Sequence, residues 1–148
     1  MLFRSVPFFL FGRSAWVEGV GERLSEVAVP TRWYAVLAPP EAIPTRDVFA
    51  APELTRDTEP LKIEDFSANP EASRFRNDLE AVVVSRHPVV AEHLAWLNRH
   101  GKARMTGSGS CVFAAFDSRE GAQRVIDALP AGMKGFIARG LVQHPLLE

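Results

Sequence analysis

Gly107-Ser108-Gly109-Ser110 is the stretch of this chain whose residue types could do chemistry. It is entered from Arg104-Met105-Thr106 and left through a strongly apolar run, Cys111 to Phe116. Glycines admit φ > 0 and let a backbone come close to another chain or to a ligand. Serine hydroxyls and free N–H groups in such a loop can receive anionic oxygens. A Gly/Ser loop between two apolar runs is also the ordinary form of a turn, and alone the motif says no more. The other reactive residue types read as structural. His87, His93 and His100 are spaced too widely to share a metal on one helix face, which needs i and i+4, and His144 is isolated. Cys111 lies in an apolar strand and reads as packed. Trp16, Trp33 and Trp96 read as core or interface; Asp57, Asp65 and Asp78 as loop and cap carboxylates. Arg56 and Lys62 fall in a polar loop, with nothing to tie them to a phosphate.

Composition sets the frame for that loop. A chain of 148 residues fits one ordinary domain, large enough to bury roughly 70% of the surface its unfolded form exposes. With 47% hydrophobic and 24% charged residues the balance is that of a globular protein. A formal net charge of -1 gives no electrostatic argument for nucleic acid or for an anionic membrane. One cysteine excludes an intrachain disulfide and points to the reducing cytoplasm. No run approaches the ~20 apolar residues of a membrane span. The opening is apolar but interrupted by Pro7, with no small-residue cleavage site after it. Val6–Phe11 is read as a buried strand. A chain that begins inside an apolar run and stops abruptly at Leu146-Leu147-Glu148 suggests a molecule cut from something larger. Residues 1–5 and the last two are set aside as additions to the fold.

The elements that must position the loop follow. Ala15–Glu18 and Glu22–Val27 are expected to form a short second strand, bent at Gly19 and Gly21. Trp33–Leu37 is a strand stopped by Pro39-Pro40. Pro44 suits a helix first turn, which places a short helix over Thr45–Phe49. From Pro52 to Arg76 the chain is polar and proline-broken, with one helical turn expected around Ile63–Phe66. Asn77 is an N-cap with Glu80 at the third helical position, the pattern of a capping box. That helix should run to Arg86, because His87 precedes Pro88 and residues before proline avoid the helical region. Pro88 opens a second helix with Val90, Leu94 and Leu97 on one stripe, ended by Gly101. Strands Lys102–Thr106 and Cys111–Phe116 flank the loop. Asp117 with Glu120 suggests another capping box, before a helix whose apolar face is Ala122, Val125, Ile126 and Leu129. Phe136–Val142 is the last strand expected. From Trp33 the order is strand, helices, strand, strand, helix, strand. This is an α+β class, the split β-α-β order of a ferredoxin-like two-layer sandwich with helices on one face of an antiparallel sheet.

An ordered series of short segments then stands out. It comprises Val6-Pro7-Phe8-Phe9 with Ala15-Trp16-Val17-Glu18-Gly19-Val20-Gly21-Glu22, Ile43-Pro44-Thr45 with Val48-Phe49, Pro52-Glu53-Leu54-Thr55-Arg56-Asp57-Thr58, and Asn77-Asp78-Leu79-Glu80. Arg104–Phe113 and Phe136-Ile137-Ala138-Arg139-Gly140 complete it. Together these resemble the C-terminal half of the 4-diphosphocytidyl-2-C-methyl-D-erythritol kinase family, within the GHMP kinase superfamily, over about residues 6 to 145. The resemblance implies residues 6–32 as strands from a domain junction and 33–146 as the substrate-side domain.

The resemblance implies an enzyme that uses ATP and Mg²⁺ to phosphorylate the 2-hydroxyl of the substrate's erythritol moiety, in non-mevalonate isoprenoid biosynthesis. Kinases of this family carry an early catalytic lysine and a glycine-serine-rich ATP loop in an N-terminal domain, and this sequence has no counterpart of either. The family's catalytic aspartate directly precedes the Val-Pro-Phe-Phe segment, where this chain has Ser5. A serine without a neighbouring base cannot take the substrate hydroxyl's proton as a carboxylate would. The chain by itself is therefore expected to be inactive and to hold no cofactor or metal. Gly107, Ser108, Gly109 and Ser110 match the family loop that packs beside the phosphate loop, and are expected to buttress it more than to grip phosphate. Phe49 is placed against the cytosine ring, with Thr45 offering a hydroxyl nearby and Val20 an apolar wall. The implied partner is an N-terminal kinase domain. The face it would cover is expected to be apolar and to favour dimerisation. Two rivals are half of another GHMP kinase, acting on homoserine, mevalonate or galactose, and a free-standing ferredoxin-like module that binds a small molecule or a protein.

Overall fold

Alternation with a period of two decides which residues of the central strands meet the helices. In Trp33–Leu37 (β3) the inward set is Ala35 and Leu37, and in Val112–Phe116 (β5) it is Val112 and Ala114, all four buried. The two strands pair antiparallel with Ala35 opposite Ala114 and Leu37 opposite Val112, so their small and large side chains form one continuous surface. The computed structural model describes residues 6–59, 62–64 and 76–145. They fall into two compact units, one of the described residues up to 31 together with those from 139 on, and the other of those from 32 to 138.

The larger unit carries a four-stranded sheet in the order β4-β5-β3-β6, with β4 at Ala103–Met105 and β6 at Gly135–Arg139. Its helices are α2 (Thr45–Ala50), α3 (Asp78–Arg86), α4 (Pro88–Leu97) and α5 (Arg119–Asp127). This is the ferredoxin-like order expected from the sequence. Val83, Val90 and Leu97 are fully buried, and they pack with Leu37 and Val112 in a core between sheet and helices. The stripe Val90, Leu94, Leu97 is the buried face of α4, and Pro88 occupies its first turn. Among the described residues no helix is long and apolar enough to cross a membrane.

Two caps differ from expectation in detail. Asn77 caps α3 as expected, its side chain accepting from the Leu79 N–H. Glu80 does not complete a box; it turns to β4, as described below. Ahead of α5 the cap is Ser118, whose hydroxyl accepts from the Gly121 N–H at 3.1 Å. Asp117, expected to cap, instead pairs with Arg32 at the start of the sheet. Ser118→Ala is therefore expected to cost about 1 kcal/mol, and Asp117→Ala about 0.5 kcal/mol or less. Urea unfolding of both variants checks this, and a larger loss for Asp117→Ala would reverse the assignment.

The smaller unit departs further. Val6–Phe11, expected as a buried strand, is a helix (α1) with no fully buried residue. An apolar run of six cannot be assigned to helix or strand by periodicity. Pro7 decides for helix, since its missing N–H costs nothing in a first turn. Gly12, at φ 68°, closes the helix by donating to Phe8 O at 3.0 Å. The expected single bent strand is an antiparallel hairpin of β1 (Ala15–Glu18) and β2 (Arg23–Glu26), with Gly19 and Gly21 at positive φ in its turn. The last segment joins this unit through a bridge between Arg13 and Gln143, and Leu141 and Val142 are exposed instead of extending β6. The turn expected at Ile63–Phe66 is helical at Ile63 and Glu64; Asp65, Phe66 and Ser5 lie outside the described residues.

Candidate functional site

β4 and β5 deliver the glycine-serine loop to one end of the sheet. Thr106 N–H donates to Cys111 O and Gly109 N–H to Thr106 O, both at 3.0 Å, so the loop folds back tightly on its own stem. Gly107 and Gly109 adopt φ of 55° and 88°, a region that L side chains rarely occupy. Gly109 sits down on the protein: a Cβ there would meet Ile43 Cδ1 at 2.9 Å and Met105 Sδ at 3.0 Å. Gly107 stands clear: a Cβ there would meet nothing within 4 Å.

Both serine hydroxyls of the loop are engaged within the protein. Ser108 Oγ and Thr45 Oγ1 share a hydrogen bond of 2.8 Å, and Ser110 Oγ donates to Pro39 O at 3.3 Å. Thr45 is the first residue of α2, so two residues that the sequence assigned to different sides of a site are joined directly. One turn further along α2, Val48 is buried, whereas Phe49 is 54% exposed. Phe49 is therefore not a core phenylalanine. Arg56 ties off this helix by donating to the carbonyls of Phe49 and Ala51 at 2.9 and 3.1 Å. Val20 belongs to the other unit, where it is half exposed on the β1–β2 turn.

Three side chains that hold the stem were not singled out as site residues from the sequence. Asn77 Nδ2 donates to Met105 O at 3.1 Å and to Gly107 O at 2.7 Å. Glu80 Oε2 accepts from Met105 N–H at 2.7 Å, and Asn98 Oδ1 from Ala103 N–H at 2.9 Å. The Asn77–Glu80 signal was present as a helix start, but its partners lie 25 and 30 positions along the chain. Next to them, Asp78 accepts from the Thr58 hydroxyl at 2.7 Å and from Arg76 at 2.9 Å. The Thr58 hydrogen bond, aided by Arg76, holds the Asp78 carboxyl below its ordinary value of 3.8, against a smaller opposing effect of burial.

That shift has a sign. A carboxyl whose folded value is depressed contributes stability above its unfolded value and loses it as pH falls through the folded one. Asp78→Asn is expected to flatten the fall in stability below pH 3.8, the unshifted value. Urea midpoints measured at descending pH test this, and an unchanged acid slope would remove Asp78 from the account.

The histidines make no metal site. His87 Nδ1 lies 2.6 Å from Glu41 Oε1, His93 Nδ1 lies 2.7 Å from Val89 O, and His100 packs on Trp96. Among the described residues no group of three or more His, Cys, Asp or Glu gathers around one point. These residues do not by themselves form a Mg²⁺ site.

Comparison with known proteins places this geometry. The family model described as GHMP kinases C terminal matches residues 57–135. The 4-diphosphocytidyl-2-C-methyl-D-erythritol kinase of Thiobacillus denitrificans is 54% identical over 143 residues, covering 97% of this chain and 50% of that protein. The protein of the same name from Nitrosomonas eutropha is 51% identical over 146 residues, covering 97% and 51%. A crystal structure of 4-(cytidine 5'-diphospho)-2C-methyl-D-erythritol kinase superposes with a TM-score of 0.75 at 31% identity, over 91% of this chain and 52% of that one. The chain thus spans about half the length of the relatives it matches. With a family model over more than half its length and the same fold at 31% identity, this chain belongs to the GHMP kinase C-terminal family.

Proposed function

We propose that this chain is the substrate-side half of a kinase that phosphorylates the 2-hydroxyl of 4-diphosphocytidyl-2-C-methyl-D-erythritol with ATP and Mg²⁺, in the cytoplasm. The observation that carries this reading is identity of about half over nearly the whole chain to proteins of that name. In it the partner is a preceding domain that supplies the catalytic lysine and the ATP loop, and Phe49 and Thr45 face the cytidyl substrate. The internal bonds of the Ser108 and Ser110 hydroxyls and of the Gly109 N–H support a loop that buttresses the phosphate-binding segment, since these donors are already spent within the protein. Exposed Phe9, Leu10, Leu141 and Val142 in the smaller unit support a covering partner or self-association.

Joining the N-terminal half of the Thiobacillus denitrificans kinase to this chain tests the proposal. The joined protein should transfer phosphate to the cytidyl substrate and leave homoserine, mevalonate and galactose untouched. A folded product that is inactive on the cytidyl substrate would refute the reading. Activity on one of the other three alcohols would move the chain to another branch of the superfamily.

A further inference from the structure

β4 is an edge strand, and an edge presents a row of N–H and C=O groups with no strand to pair them. Here three side chains take that role: Asn98 on Ala103 N–H, Glu80 on Met105 N–H and Asn77 on Met105 O. The strand that enters the glycine-serine loop is thereby fixed by helix side chains on its outer side and by β5 on its inner side. Asn77 goes one step further. Its second amide hydrogen reaches past the strand to Gly107 O, at 2.7 Å, the shortest bond it makes.

A helix cap does not require this. Capping uses only a side-chain oxygen, and Asp or Ser supply it as well as Asn. The two amide hydrogens of Asn77 are surplus to the cap, and both are spent on the loop stem. Only asparagine's short amide offers an acceptor at cap distance together with two donors. The loop has need of them. A Cβ at Gly107 would meet nothing within 4 Å, and the polar ties at this point of the loop run to Asn77 from Gly107 O and to Thr45 from the neighbouring Ser108 hydroxyl.

We propose that Asn77 is a positioning residue for the phosphate-side loop, acting through its amide N–H groups on Met105 O and Gly107 O and not through its cap on α3. The functional part rests on the kinase reading above. Two variants separate the roles. Asn77→Ser keeps a capping oxygen and loses both donors, and Asn77→Asp does the same while turning a carboxylate toward two carbonyls.

In the 148-residue chain, amide exchange at Gly109, whose N–H is bonded to Thr106 O, reports loop opening. Both variants should exchange there about tenfold faster, the loss of one to two hydrogen bonds, with α3 amides within about twofold of the parent. In the joined two-half protein the KM for ATP should rise about tenfold, with kcat within about threefold and the KM for the alcohol substrate unchanged. Unchanged exchange at Gly109 would overturn the proposal, as would a rise in α3 exchange that keeps pace with it, because that marks a cap and nothing more. If the joined parent protein is inactive the kinase reading fails, and the exchange comparison still decides whether Asn77 holds the loop.

Discussion

Gly109→Ala is expected to lower the stability of this chain by about 2–4 kcal/mol, while Gly107→Ala costs about 1–2 kcal/mol. Both glycines have positive φ, so both substitutions meet the same backbone penalty for a side chain in the left-handed region. The difference lies in what the new methyl group meets. At Gly107 it enters open space; at Gly109 it enters the van der Waals shells of Ile43 Cδ1 and Met105 Sδ, with Val83 Cγ1 next at 3.6 Å. Those three side chains come from the segment before α2, from the end of β4 and from α3. The methyl group therefore presses on the junction where the loop, both helices and the sheet edge converge. Either the loop lifts, stretching the Thr45–Ser108 bond, or Met105 gives up its place in the core, where it is 2% exposed. Thermal unfolding should show a drop of roughly 5–15 °C for Gly109→Ala and less than half of that for Gly107→Ala. Equal drops would mean that the close approach at Gly109 contributes nothing and that backbone strain alone is being measured.

The sheet and its helices were legible in the sequence because each carries a local signal. Short apolar runs mark β3, stopped by Pro39-Pro40, and β5, while Pro88 and the Val90–Leu94–Leu97 stripe mark α4 and Asn77 marks the start of α3. What was illegible is what depends on partners far along the chain. The Val6–Phe11 segment is apolar on every side, and its choice of helix comes from Pro7 and Gly12 and not from a period. Glu80 satisfies the capping-box pattern, yet the nearby edge of β4 offers a buried N–H that needs an acceptor more than the helix start does. Ser118 and Asp117 are both good caps in isolation, and the choice between them was made by Arg32, 85 residues away from Asp117. The loop itself was found from its glycines, whereas the groups that fix it were found only in three dimensions. Composition can locate a flexible backbone. It cannot say which distant amide will hold it still.

Phe49→Ala is expected to raise the KM for the cytidyl substrate about 5- to 150-fold in the joined two-half protein, the equivalent of losing one base–aromatic stack of roughly 1–3 kcal/mol. The argument starts from where the helix buries its residues. α2 is six residues long, and it spends Val48 on the core while Ala51, just beyond it, is 1% exposed. Phe49 is left with more than half of its surface open to water, on a helix fastened at one end by Thr45 to Ser108 and at the other by Arg56. A large aromatic ring that is held out on a fixed backbone brings little to folding, so its removal should change the unfolding midpoint by less than the equivalent of about 0.5 kcal/mol. The same ring can orient a flat base at small entropic cost, because its backbone is already fastened by Thr45 and Arg56. Phe49→Tyr should keep most of the affinity, since a stack needs an aromatic face, and Phe49→Leu should lose most of it despite similar apolar bulk. ATP affinity should be unaffected by all three changes. A Phe49→Ala protein with unaltered KM, or one whose unfolding midpoint falls as far as that of Gly109→Ala, would show that the ring serves packing. The substrate's base would then have to be held by other residues.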